Sequence, residues 1–313
     1  MYRILFIVML LLFTPSANAA FPEKPIQFIV GWQAGDGTDL SARTLCHYAE
    51  KYLKEPFVIS NVPGGSGGKA YTSIAKANAD GYTLGTTTSS IATLKSLGMI
   101  QVDSDDMQPI IAYSEDPTAL WVKWDAPWKT LQEFIAYAKQ RPGEVKVSAS
   151  NPGSITRFQM MALEQEAGLE FRVLSGGNAP GLLALAGGHV DAAFGTPPSG
   201  ASLYAGQKIR PLGFTSGERL PFFPEVPTFK EQGINIVMTT TRIVIGPKGI
   251  PADVVNTLYT AFKKATEDKE FRDNLNKRGT SWLDWDPERC RQEMNKQNAQ
   301  FKALIEKVGN TAK

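Results

Sequence analysis

The chain has 313 residues, with 33 Lys and Arg against 31 Asp and Glu. That length is more than one hydrophobic core usually organises, and it suits two lobes. The balanced charge, with no basic stripe interleaved with aromatics, argues against nucleic acid as a partner; two histidines and two cysteines, none at ligand spacing, argue against a metal site, and no cofactor is expected.

The first residues read as an export signal. Arg3 precedes the apolar run Ile4–Phe13, which is too short to cross a bilayer as a helix; Pro15 follows, then the small-x-small site Ala17-Asn18-Ala19. The competing reading, a membrane anchor, fails on length. Cleavage after Ala19 would leave residues 20–313 as a periplasmic, monomeric protein. No cysteine stands at the cleavage point to carry a lipid. In an oxidising compartment Cys46 and Cys290 either pair, closing a very long loop, or stand as separate buried thiols; the sequence leaves both open.

The first expected strand is Ile26–Val30, after Pro25. Gly31–Gly37 turns the chain, Thr38 serves as N-cap with Asp39 at the positive end, and a helix runs from Leu40 to Leu53. Strand 57–59, the glycine turn Gly64–Gly68, helix 71–79 and strand 82–86 follow. Strands alternating with helices imply parallel pairing through right-handed crossovers. The pattern resumes with a helix ending near Gln140, strand 145–149, a helix from the turn Asn151–Ser154 to Glu166, strand 171–174, helix 181–186 and strands 190–194 and 210–215. A long helix starts at Pro251-Ala252-Asp253, and an amphipathic one covers 287–308. The fold class is α/β, in two lobes with a ligand cleft between them. No Gly/Ser-rich linker separates the lobes, so strands should cross between them. The expected division is 20–120 with 244–313 as lobe 1 and 121–243 as lobe 2.

The loop Gln33-Ala34-Gly35-Asp36-Gly37-Thr38-Asp39 is the sharpest candidate site. It joins a buried strand to a helix start, where glycines admit a ligand to the backbone and the first N–H groups favour an anion. Open parallel sheets bind ligands at such strand ends. The plain alternative is a tight turn without a ligand. Asn151-Pro152-Gly153-Ser154-Ile155-Thr156 offers the same geometry in the second lobe. Two facing helix N-termini could hold both ends of a dicarboxylate.

Three motifs are decoys. Pro63–Ala70 lacks the first Gly of a phosphate loop and the Ser or Thr that would bind magnesium. Gly64-Gly65-Ser66-Gly67-Gly68 matches a nucleophile elbow, yet Asn61-Val62-Pro63 interrupts the strand an elbow needs, and His189 is the only downstream histidine. A secreted serine hydrolase using Ser66 is therefore the minor reading; a ligand-sensing subunit of a signalling system is a third. Gly35–Leu40 lacks the third glycine of a dinucleotide fingerprint.

Taken in order, these segments resemble the Bug (TctC-like) periplasmic solute receptors of tripartite tricarboxylate transporters. Pro25–Val30, then Gly35-Asp36-Gly37-Thr38-Asp39 with Ala42-Arg43, is similar to the family opening P-I-x-x-I-V-P-F-x-A-G-G-G-T-D followed by A-R. Asn61–Gly68, Ala79–Leu84, Pro127–Thr130, Pro142-Gly143, Pro152–Ser154, Gly187–Asp191 and Pro224–Thr228 continue the likeness. The resemblance implies a non-catalytic protein that closes its lobes by a hinge on a small organic acid, amino acid or related compound and delivers it to membrane permease subunits. Carried over by residue, it points to Gln33, Ala34, Gly35, Gly37 and Thr38, and to Pro152, Gly153, Ser154 and Thr156. Thr88, Ser89, Gly176 and Thr196, at other strand ends, are weaker candidates.

Departures from the family pattern are Val62 for an arginine, Arg157 for a histidine, an eroded segment around Thr240-Thr241-Arg242, and Asp36 for the middle glycine. Asp36 matters most. Its carboxylate about 4 Å from a ligand carboxylate would cost about 4 kcal/mol at an effective dielectric of 20. Asp36 either points to solvent, binds a ligand ammonium, or marks a neutral or cationic ligand.

Overall fold

The computed structural model describes residues 21–311; the expected export signal lies outside them. The first sheet is laid down by β1 (Ile26–Val30), α1 (Gly37–Leu53), β2 (Phe57–Asn61), α2 (Gly68–Ala75), β3 (Thr83–Thr88), the short α3 (Ile91–Leu94) and the long β4 (Met107–Pro117). The second lobe holds β5 (Ala119–Lys123), α4 (Leu131–Lys139), β6 (Lys146–Ala149), α5 (Ile155–Ala167), β7 (Arg172–Ser175), α6 (Asn178–Ala186), β8 (Ala192–Gly195), α7 (Pro197–Ala205) and β9 (Ile209–Phe214). The chain then returns through β10 (Thr239–Pro247), α8 (Ala252–Glu267), α9 (Lys269–Asn276), β11 (Ser281–Trp285) and α10 (Pro287–Thr311).

The sheet orders are β11-β4-β10-β3-β1-β2 and β7-β6-β8-β5-β9. In the first, β1 pairs in parallel with β2 and β3, while β10 runs antiparallel between β3 and β4. In the second, β6 is parallel to β7 and β8, and β5 is antiparallel to β8 and β9. Each lobe therefore has a parallel core whose strand C-termini point toward the other lobe. The chain changes sheets at Thr118, where Thr118 N–H donates to Thr215 Oγ1 and Thr215 N–H donates to Thr118 O, both at 2.9 Å.

Residue parity sorts the first lobe's two cores. Ile26, Phe28, Val30 and Val244 face α1 and α8, while Ile29, Ile243 and Ile245 face α2 and α10. On the first face Phe57 stacks on Phe262 at 5.5 Å and meets Phe28 edge-on at 5.9 Å. Each such buried ring contributes about 1.5–3 kcal/mol. Cys46 packs in the first core and Cys290 in the second, on opposite faces of the sheet, and both are free thiols. The disulfide that the sequence left open is therefore not formed. Burial pushes the Cys290 thiol up to about 12.

Two helices begin three residues earlier than expected. The helix expected from Tyr71 begins at Gly68, and that expected from Gly181 begins at Asn178. β4, β5, β10 and β11 were not anticipated, nor were α3, α7 and α9.

Candidate functional site

Between the lobes lies a cavity of about 340 Å³. Lobe 1 contributes the turn after β1 (Trp32, Gln33, Ala34, Asp36) and the turn after β2 (Gly64, Ser66). Lobe 2 contributes Ser150 and Asn151 after β6, and Gly177, Ala179 and Pro180 at the start of α6. The two lobe-1 turns close up because they are glycine-lined. A Cβ on Gly31 would lie 2.9 Å from Gly67 Cα, and Gly67 itself has φ +93° and packs against Trp32 and Tyr71.

The loop is held by one acid and capped by another. Asp39, 1% exposed, accepts from Gly35 N–H (2.9 Å), Arg43 Nε (3.0 Å) and Asn61 Nδ2 (2.8 Å), and Asn61 Nδ2 also donates to Trp32 O (2.9 Å). Burial would raise the Asp39 carboxyl, but these donors hold it below its ordinary value. Asp36, not Thr38, is the N-cap of α1: its Oδ1 accepts from Thr38 N–H at 3.1 Å. Thr38 instead uses its hydroxyl to accept from Arg242 Nε at 3.1 Å.

Arg242 is the least expected residue of the site. It lies on β10, is 1% exposed, and forms a buried ion pair with Asp116 of β4. Val244, two residues on, faces α1, so strand parity places Arg242 under the N-terminus of that helix. Asp36 is only 8% exposed, which removes the reading in which it points to solvent. Burial pushes its carboxyl up; Thr38 N–H and the Arg242 charge pull it down, and Asp116 and Asp39 push it further up.

The remaining sequence candidates scatter. Gly37 sits where a Cβ would meet Thr196 Oγ1 at 3.2 Å and Arg242 at 3.4 Å, so the glycine lets lobe 2 close onto lobe 1. Thr88 is tied to Tyr71, whose hydroxyl lies 3.3 Å from Thr88 Oγ1 and accepts from Thr88 N–H at 3.2 Å. Ser89 borders a larger cavity of about 440 Å³ behind the crossing strands, against Glu115, Met238 and Phe301. That cavity meets no parallel-strand terminus of lobe 2, whereas the smaller one is walled by strand ends of both lobes. Gly176 N–H donates to Ala149 O (3.2 Å), and Thr196 Oγ1 lies 3.2 Å from Ser199 Oγ.

The loop Pro152–Thr156 joins the lobes rather than lining the cavity. Ser66 Oγ donates to Pro152 O (2.8 Å), Thr93 Oγ1 donates to Gly153 O, and Ile155 N–H donates to Ser90 Oγ (3.4 Å). Ser154 caps α5 through Arg157 N–H (3.2 Å), and Thr156 is buried. The helix start that lines the cavity from lobe 2 is that of α6, whose N-cap Gly177 provides no side-chain cap. Asn178 Oδ1 beside it is buried without a partner. The wall residues missed in the sequence, Ser150, Gly177 and Ala179, all follow parallel strands. Extending the strand-end rule to β6 and β7 would have found them.

Ser66 has no catalytic setting. Its hydroxyl is committed to Pro152 O, and His189 stands before β8, away from the strand ends that meet the cleft. Among the described residues no cluster of His, Cys, Asp or Glu is placed to hold a metal ion, and no helix is long and apolar enough to cross a membrane.

Two α/β lobes around such a cleft match known proteins. The family described as "Tripartite tricarboxylate transporter family receptor" (TctC) matches residues 41–310. The chain belongs to the TctC receptor family. It is 36% identical over 302 residues to the "UPF0065 protein in gbd 5'region" of Cupriavidus necator, covering 92% of this chain and 89% of that one. Among solved structures, Rpa4515 of R. palustris with adipate superposes with a TM-score of 0.88 at 26% identity, over 92% of this chain and 98% of that one. The periplasmic binding protein BugD superposes at 0.87 and 24% identity, over 92% and 99%. TctC proteins are binding receptors, so this chain is a solute-binding protein and not an enzyme.

Proposed function

We infer that this TctC protein captures a small carboxylate-bearing solute in the periplasm and presents it to the membrane subunits of a tripartite transporter. In that reading residues 1–19 direct export, residues 20–120 and 244–313 form one lobe, and residues 121–243 form the other. The observation that carries it is the cavity between the lobes, with the uncapped N-terminus of α6 in its wall. Unpaired N–H groups and the helix dipole at that end favour a carboxylate. The likeness to a structure holding adipate supports a solute of that size and kind.

The site residues in this reading are Gln33, Ala34 and Asp36 from lobe 1, with Ser150, Asn151, Gly177 and Ala179 from lobe 2. Gly35, Gly37, Thr38, Pro152, Gly153, Ser154, Thr156 and Thr196 shape the loops and the lobe contact around them. A ligand that binds only the folded state raises the melting temperature. Thermal-shift screening of residues 20–313 against carboxylic acids, adipate included, and amino acids should give at least one clear upward shift. No shift with any of them would sink the proposal.

A further inference from the structure

Deepening the reading above, and resting on it, we propose that Asp36 is a specificity residue that holds a protonated amine of the solute, so the ligand is an amino acid or similar zwitterion rather than a simple di- or tricarboxylate.

The first argument is a count of buried charge. Around the turn after β1 stand three acids, Asp36, Asp39 and Asp116, and two bases, Arg43 and Arg242. Arg43 is bonded to Asp39, and Arg242 is bonded to Asp116. Asp36 is left with one backbone N–H and with a share of the field of a guanidinium already bonded to another carboxylate. Lys69, whose side chain lies along Gly64 at the rim, is exposed, and water screens it. A buried carboxylate lacking a full counter-charge is costly unless a cation joins it.

The second argument is position. Asp36 is 8% exposed and lines the cavity, so the space beside it is where the solute goes. Across that space stands the uncapped start of α6. One wall thus favours a cation and the other an anion, which matches the two ends of a zwitterion. A dicarboxylate would meet like charge at Asp36.

Asn caps helices about as well as Asp, so Asp36→Asn removes the charge while keeping an acceptor for Thr38 N–H; Asp36→Gly removes both, and Gly is itself a tolerated N-cap. Calorimetric titration should use pairs that differ only in the amine: glutamate with glutarate, 6-aminohexanoate with adipate, and the other standard amino acids with their deaminated acids. The wild-type protein should bind one amine-bearing member at least about ten-fold more tightly than its partner, and Asp36→Asn should lose at least about ten-fold for that ligand, as expected when one partner of a buried charged pair is removed. The deaminated acid should gain in Asp36→Gly. A wild-type preference for the deaminated acids, or an amine-bearing ligand bound within two-fold by wild type and Asp36→Asn, would overturn this assignment while leaving the carboxylate receptor standing. Absence of binding by every member of both classes would overturn both.

Discussion

The loops Gln33–Asp39 and Asn151–Thr156 leave parallel strands at matching places in the two sheets, and both turn into helices, yet they use their polar groups in opposite ways. In lobe 2 the carbonyls of Pro152 and Gly153 accept from lobe-1 hydroxyls and Ser154 caps its own helix, so the loop is a clasp. In lobe 1 the carboxylate of Asp39 takes over the internal bonding, which leaves Asp36 facing the cavity. Loops with the same topology can therefore divide the work: one fastens the lobes together and, in the proposed reading, the other meets the solute.

The largest effect that tests this division comes from beneath the lobe-1 loop. Arg242→Ala leaves Asp116 buried without its partner, and the expected loss is about 3–5 kcal/mol in urea denaturation. Asp116→Asn in the same chain should recover much of it, because the buried charge then goes too. A loss under about 1 kcal/mol would mean the pair does not underpin the loop. On the clasp side, Gly153 has φ +81° and a Cβ there would lie 2.7 Å from a Leu94 methyl of the other lobe. Gly153→Ala should cost about 1–2 kcal/mol from the left-handed backbone alone, and it should hold the lobes apart, seen as a larger radius of gyration in solution with ligand present. An unchanged radius would argue against the clasp.

A smaller loss, about 1 kcal/mol, is expected for Ser154→Ala, which removes the α5 cap but keeps the backbone bond to Asn151 O and takes nothing from the cavity wall, so affinity should stay near wild type. A loss of affinity greater than the loss of stability would return Ser154 to the binding site.

Much of this division was open to sequence reasoning, and the failures share a cause. β1 and β2 carry β-branched or aromatic runs bounded by turns, the segment of β6 alternates Val145 and Val147 with polar residues, and all three are legible from pattern alone. β4 and β10 are not, because Ser114 and Asp116 on one and Thr240–Arg242 on the other place polar residues in buried strand positions. Apolar periodicity has no signal where a salt bridge replaces packing. For the same reason the glycine loop was found while the arginine beneath it was not. Thr38 is an acceptable N-cap in sequence, but Asp36 stands two residues earlier and caps helices better than Thr, and the structure uses the acid. A cap and a ligand loop have the same sequence signature, and only the facing lobe distinguishes them.

The smallest expected effect contrasts the two acids of the lobe-1 loop directly. Asp36 holds its proton more tightly folded than unfolded, because burial outweighs its one N–H bond and its share of Arg242. Its contribution to stability is therefore full below the ordinary carboxylate value of 3.8 and is lost as pH rises through its raised folded value. Asp39 behaves the other way: burial is outweighed by Arg43, Gly35 N–H and Asn61, so its contribution is present above 3.8 and is lost as pH falls through its lowered value. Asp36→Asn should thus be at least as stable as wild type at neutral pH in the absence of ligand, with the gain vanishing in acid. Asp39→Asn should be less stable at neutral pH, with the deficit shrinking in acid. Urea midpoints for both variants across that range give the two slopes. Slopes of the same sign would mean that Asp36, like Asp39, is fully bonded within the protein, and the cavity would then lack the charge that singles out an amine.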